Sequence, residues 1–157
     1  MNRIRIVAAQ PNPPGRDTTW QGRATNAMLN EEWIDIQAID SRSMVNDVLT
    51  SLAHDNACSV TGVQVLCTFP SIQLLPGQSI RVHTGSGTAG FIGHTYHYYL
   101  GRSWFVWNNG CGDRATVSYN GGVVDSAWYA ARVPEGVLVR STNSDELVPR
   151  YKAASGW

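Results

Sequence analysis

Three histidines, His83, His94 and His97, fall within fifteen residues. Imidazoles grouped this closely are the first place to look for metal or acid–base chemistry. The spacing of His94 and His97 is one that some zinc sites use, but strand alternation sends the two to opposite faces of a sheet, so joint ligation would need a loop. Cys67 or Cys111 could form a nucleophilic pair with a histidine, yet no local signature of an activated thiolate surrounds either. The run Gly85-Ser86-Gly87-Thr88-Ala89-Gly90 follows a strand and has no lysine to meet phosphate, so it reads as a mobile loop. Side-chain oxygens of Asn108, Asn109 and Asp113, joined by Asp125, are candidates for a calcium ion, which wants about six to eight oxygens. Their plainer role is to close a loop onto its own backbone. Any two of the 12 acids could meet in space as a carboxylate pair. The sequence assigns no catalytic residue, no cofactor and no metal, and a metal-dependent enzyme is the weakest of its readings.

Binding chemistry has better material. Six rings (Tyr96, Tyr98, Tyr99, Trp104, Phe105 and Trp107) are crowded into twelve residues, more than one sheet face needs. Trp107 is the large rigid group expected to fill the core. Rings left on the surface are anchors for a protein or stacking platforms for a sugar, and Tyr98, Trp104 and Phe105 are the candidates. Trp157 joins them: after Ala153-Ala154-Ser155-Gly156 an indole gains nothing in water, so it is expected to dock on its own domain or on a neighbouring subunit. Three cysteines are an odd number. At least one thiol stays free or pairs between chains, which makes Cys58, Cys67 and Cys111 candidates for an inter-chain disulfide. Buried structural thiols are the plainer alternative.

The elements that must position these groups follow from composition and pattern. At 157 residues the chain is one domain, large enough to bury a core. Lysine plus arginine equals aspartate plus glutamate at 12 each, and charged residues are 15%, so bulk electrostatic binding to nucleic acid or to an anionic membrane is excluded. A hydrophobic fraction of 43% with 6 Trp and 6 Tyr excludes a disordered chain. No apolar run approaches the roughly 18 residues of a membrane span. The first nine residues lack a secretory apolar region; with Met1 as the true start, the expected place is the cytoplasm or a virion.

Short strands separated by turn chemistry dominate the pattern. They are expected at 3–8, 33–36, 60–67, 79–83, 96–100, 115–119, 123–129 and 137–140. Leu75-Pro76-Gly77-Gln78 has the order of a type II turn, and Asn120-Gly121-Gly122 marks a tight hairpin. Gly77 and Gly85 are expected to supply backbone angles that a β-carbon forbids. One segment departs: Met44, Val45, Val48, Leu49 and Leu52 recur at helical spacing, which predicts a short amphipathic helix inserted over 43–56. The division expected is a β-sandwich over 1–133 carrying that insertion, then a C-terminal strand and tail over 134–157.

Seven blocks, read in order, carry a resemblance. Asn30-Glu31-Glu32-Trp33-Ile34-Asp35-Ile36 comes first, then Val60-Thr61-Gly62 and Thr68-Phe69-Pro70. Leu75-Pro76-Gly77-Gln78-Ser79-Ile80-Arg81-Val82-His83-Thr84-Gly85 follows, then Val106-Trp107-Asn108-Asn109, Gly112-Asp113-Arg114-Ala115-Thr116-Val117, and Asn120-Gly121-Gly122-Val123-Val124-Asp125-Ser126. In this sequence of blocks the chain resembles the lamin-tail domain family over about residues 3–129. It departs where the family carries a tryptophan and this chain has Val63, and where Cys111 lengthens the Asn-Asn turn. The resemblance implies an all-β fold, an immunoglobulin-like β-sandwich. It also implies a module for attachment and interaction instead of an enzyme.

The function expected from the sequence is a non-catalytic structural and interaction module, an accessory or decoration subunit of a larger assembly such as a phage particle. Its partners are then protein subunits, with a homo-oligomer among the assemblies it admits, and neither nucleic acid nor membrane. The second reading is a carbohydrate-binding or adhesion module that uses exposed aromatics.

Overall fold

A computed structural model describes residues 3–15, 22–142 and 144–150. In chain order the elements are β1 (Ile4–Gln10), α1 (Asn26–Asn30), β2 (Trp33–Ala38), β3 (Arg42–Ser43), β4 (Val48–His54), β5 (Val60–Thr68), β6 (Gln73–Leu74) and β7 (Ser79–His83). They continue with β8 (Gly90–Ile92), β9 (Thr95–Tyr99), β10 (Asp113–Tyr119), β11 (Gly122–Tyr129), β12 (Leu138–Ser141) and β13 (Leu147–Arg150). The described residues are mostly β, with α1 a single turn and a half of helix.

Seven strands form one sheet in the order β13-β12-β1-β2-β7-β9-β8, and four form a second in the order β11-β10-β4-β5. A two-stranded ribbon, β3-β6, stands beside them. The described strands pair antiparallel except β7 with β9, and an isolated parallel bridge joins Trp128 to Glu146. Alternation along the strands produces the two layers: Ile6, Ile36, Ile80 and Val82 of the first sheet and Leu49, Leu66, Val117 and Ala127 of the second fill one core, together with Phe69, Met44, Leu74 and Trp107. Asp125 crosses between the layers, its Oδ2 accepting from the Ile6 amide at 2.7 Å; it is a structural link, away from Asn108 and Asp113.

The helix expected over 43–56 does not form. Val48–His54 is a strand lying between β10 and β5, and the ladders on both its sides outweigh the local periodicity. Ahead of it the chain turns through Asn46, whose φ of 66° is left-handed, and the Asp47 amide donates to the Met44 carbonyl. The buried Asp47 carboxylate then receives both arms of the Arg42 guanidinium. The one helix among the described residues stands elsewhere, at α1, where the Thr25 hydroxyl accepts from the Met28 amide as an N-cap and Leu29 is buried.

Both predicted turns are present. The Gln78 amide donates to the Leu75 carbonyl with Gly77 at φ 87°, and β10 folds into β11 over Asn120 and Gly121. Gly85 is a correction: its φ is ordinary, and its need is space. A Cβ there would lie 2.5 Å from Asn26 Oδ1 and 2.6 Å from Asn30 Oδ1. Both asparagines donate to the Ser86 carbonyl, and the Ser86 amide donates back to Asn26 Oδ1, so α1 grips the loop after β7 instead of leaving it free.

Candidate functional site

Glu32 follows α1 and immediately precedes Trp33 of β2, and it is 1% exposed. Its Oε1 accepts from the Thr84 hydroxyl at 2.6 Å, from the Val106 amide at 2.9 Å and from the Trp107 amide at 3.4 Å. The Thr84 amide in turn donates to the Glu32 carbonyl. One carboxylate oxygen thereby ties the start of β2 and the end of β7 to the segment that carries Trp104–Trp107. The other oxygen, Oε2, is buried without a partner among the described residues. Burial pushes this carboxyl up to about 8 against those hydrogen bonds, and nearby Asp113 pushes in the same direction.

The segment that meets Glu32 is fixed at both ends. Leu100, Gly101 and Arg102 donate amides to the carbonyls of His83, Gly85 and Thr84, so the chain leaving β9 is zipped to the chain leaving β7. Further on, Asn108 Oδ1 accepts from the Cys111 amide, Asp113 Oδ2 accepts from the Asn108 amide, and the Asn109 carbonyl accepts from Arg132. These bonds give the asparagines and Asp113 the loop-closing role. Between the fixed ends Glu32 lines a hollow of about 290 Å³ with Pro11, Pro13, Trp104, Phe105 and Asn109. Trp104 is 53% exposed at this hollow and meets Phe105 edge-on, ring centroids 5.8 Å apart.

Of the residues singled out from sequence, Trp104 and Phe105 are therefore brought together at one site. Tyr98 is a correction: it is half-buried on the core side of β9, tilted against Phe69 at 5.4 Å. Trp157 lies outside the described residues. The inter-chain pairing expected for the cysteines is corrected for two of them, because Cys58 and Cys111 are joined within the chain. Cys67 is free and half-buried, and burial pushes its thiol up to about 12, which leaves almost no thiolate at neutral pH to exchange with another chain. Glu32, Pro11 and Pro13 escaped the sequence reading.

The histidines arrange themselves differently from their spacing. His94 is exposed in the turn before β9, whereas His83 and His97 meet across the β7–β9 pair, Nε2 to Nδ1 at 2.8 Å. His83 also stacks on Tyr99. Beside them Arg81 grips Asp35 with both arms at 2.8 and 2.9 Å and lies over the Trp33 ring at 3.7 Å. Among the described residues no three His, Cys, Asp or Glu side chains converge where they could hold a metal ion, and no helix is long and apolar enough to cross a membrane.

A second surface is defined by the sheet edges. An edge strand offers unpaired backbone groups that proteins ordinarily blunt with charge, proline, brevity or cover. Pro149 and Arg150 blunt β13, β8 has three residues, and β11 lies against β1 and β13. The remaining edge, β5, is nine residues long, VTGVQVLCT, with neither charge nor proline. At its C-terminal half a bulge opposite Leu49 and Thr50 disturbs the ladder, and Arg102 covers the carbonyls of Val65 and Leu66 at 3.1 Å each. A second bulge, opposite Ala53 and His54, falls at Thr61, but among the described residues no charge, proline or covering arginine stands on the half from Val60 to Gln64, and Val60, Val63 and Val65 stand 58%, 64% and 58% exposed. No protein-family model matches this sequence, and no curated protein matches it either.

Proposed function

We propose that this chain is a non-catalytic interaction module, an immunoglobulin-like sandwich of lamin-tail type that serves as an accessory or decoration subunit in a larger protein assembly such as a phage particle. The observation that carries the reading is the half of β5 from Val60 to Gln64, which has a bulge at Thr61 but no charge, proline or covering side chain among the described residues, whereas charge, proline, brevity or cover blunts the other edges of the two large sheets. Backbone groups at such an edge are completed by strand addition, which couples main-chain hydrogen bonding with burial of the exposed valines. The occupant we assign is β5 of a second copy: antiparallel pairing of one strand with itself is self-complementary about a two-fold axis, and it would extend the four-stranded sheet to eight.

The seven lamin-tail-like blocks support the family reading, because they fall on β2, β5, β7, β10 and β11 and on the turns between them. The Cys58–Cys111 bridge supports a working place that is oxidising, since internal disulfides are rare in reducing cytosol. That agrees better with an exposed particle than with cytoplasmic residence. A second reading, a carbohydrate-binding or adhesion module, is favoured by the exposed ring of Trp104 alone; loss of glycan binding in Trp104→Ala with the fold intact would mark it.

Sedimentation velocity over a concentration series tests the primary reading. The wild-type chain should associate, and the double variant Val63→Lys, Val65→Lys should remain monomeric with an unchanged melting temperature, because like charges facing one another repel strand addition. A wild type that is monomeric throughout the series, or a double variant that associates equally well, would contradict it.

A further inference from the structure

The hollow at Glu32 stands apart from the β5 edge, and its chemistry is lopsided. Glu32 Oε2 is a buried carboxyl oxygen with no partner among the described residues, a condition that a folded protein rarely leaves without purpose. The amides of Val106 and Trp107 are already taken by Oε1, and Asn108 Oδ1 is taken by Cys111. The rest of the lining is the Asn109 side chain, proline rings and the rings of Trp104 and Phe105. One unpartnered carboxyl oxygen beside aromatic and proline rings offers few donors for the several hydroxyls of a sugar, only the buried Trp107 Nε1–H and the Asn109 amide. It also lacks the oxygen count that a hard metal ion demands. What such a lining does suit is a ligand that brings both the donors and the positive charge, since indole and phenyl faces attract organic cations.

We propose that this hollow binds an alkylammonium group, with the ammonium donating to Glu32 Oε2 and the alkyl stem lying against Trp104, Phe105 and the prolines. The source of the group is either a lysine side chain of a partner protein or a free small amine. With its carboxyl pushed up to about 8 in the empty hollow, Glu32 is mostly protonated at neutral pH, so an incoming R–NH₃⁺ meets a carboxylic acid. The acid gives its proton to solvent, the carboxylate accepts from the ammonium, and one proton is released for each cation bound. No covalent bond changes.

The experiment is an NMR titration of the ¹⁵N-labelled full chain, following the indole N–H signals of Trp104 and Trp107. The probes are n-butylammonium chloride, n-butanol as the neutral isostere, N-acetyl-lysine amide as the protein-like source, and glucose. n-Butylammonium should shift both indoles saturably, with affinity rising about tenfold for each pH unit up to about pH 8. n-Butanol and glucose should leave them in place. Glu32→Gln keeps an oxygen for Thr84 and the two amides and should abolish the response, while Trp104→Ala, at an exposed ring, should weaken it about tenfold. N-acetyl-lysine amide binding at least as tightly as n-butylammonium points to a protein lysine, and n-butylammonium binding alone points to a free amine. Should Glu32→Gln not fold, the pH series and Trp104→Ala decide. A response to n-butanol or glucose equal to that for n-butylammonium, a pH-independent affinity, or silence from both ammonium probes would overturn the proposal.

Discussion

His83 and His97 share a hydrogen bond whose direction is fixed by a third group. The Asn30 carbonyl accepts from His83 Nδ1 at 2.8 Å, so neutral His83 must carry its hydrogen there and present a lone pair at Nε2. His97 Nδ1 therefore donates across the 2.8 Å gap. The arrangement ties the C-terminal end of α1 to β7 and β9, and it has no place for a hydrogen on every nitrogen.

Burial, more than the neighbouring His97 and Arg81 charges, holds His83 below the usual imidazole range. A group depressed in the folded state contributes stability that is complete above its unfolded pKa and is lost as pH falls through the folded value. The difference in unfolding free energy between wild type and His83→Gln should therefore shrink as pH is lowered from 7.5 through 6.5 and below. Urea unfolding across that range checks it, and a constant difference would count against the assigned hydrogen positions.

Glu32 has the opposite sign. Raised in the folded state to about 8 from 4.5, it contributes stability that is complete below the unfolded value and disappears as pH rises through about 8. Wild type should lose about 4 kcal/mol of stability from this group between pH 5 and pH 9, and Glu32→Gln should flatten that slope. The same urea measurements in the two proteins decide it.

Legibility in the sequence followed the range of the forces involved. The strand 79–83 is read without error because alternation of Ile80 and Val82 against Ser79, Arg81 and His83 is a local property, and the Pro76-Gly77 turn fixes where it begins. The segment 43–56 misleads because Met44 and Val48, and Leu49 and Leu52, stand at helical intervals although a turn at Asn46 interrupts the first pair; Met44 and Leu49 are fully buried as part of the core between the sheets. Its strand character comes from β10 and β5, which no local window contains. Trp104 and Phe105 were visible as surplus rings. Glu32 was not, since a glutamate beside Glu31 reads as solvent-facing; its burial depends on Thr84 and Val106, 52 and 74 residues away.

Gly112 is a position where no other residue should fit. Its φ is 76°, and a Cβ would lie 2.5 Å from the Tyr129 carbonyl oxygen and 2.9 Å from the backbone of Ala130 and Ala131. Gly112→Ala should cost about 3 kcal/mol, since backbone on both sides must move. Thermal unfolding of the variant provides the check; a loss below about 1 kcal/mol would mean that the β10 entrance is looser than described.

The Cys58–Cys111 bridge closes a loop with a separation of 53 residues, for which chain entropy predicts a stabilisation of about 4 kcal/mol. Cys58→Ser with Cys111→Ser should lower stability by that order. Thiol counting by mass after maleimide labelling gives a second readout: one label in the unfolded oxidised chain, three after reduction, and slow labelling of the native chain, whose Cys67 thiol is pushed up to about 12. Rapid native labelling would contradict the burial of Cys67.

Self-association through β5 rests on the uncovered half of that edge, Val60 to Gln64. Amide hydrogen exchange over Val60 to Gln64, measured at rising protein concentration, tests it most directly, because strand addition protects backbone amides that β4 leaves open. The expected result is a set of β5 amides whose exchange slows as concentration rises, and does not slow in the Val63→Lys, Val65→Lys chain. Exchange at β5 that is independent of concentration in the wild type, with protection gained at another edge instead, would contradict the central claim.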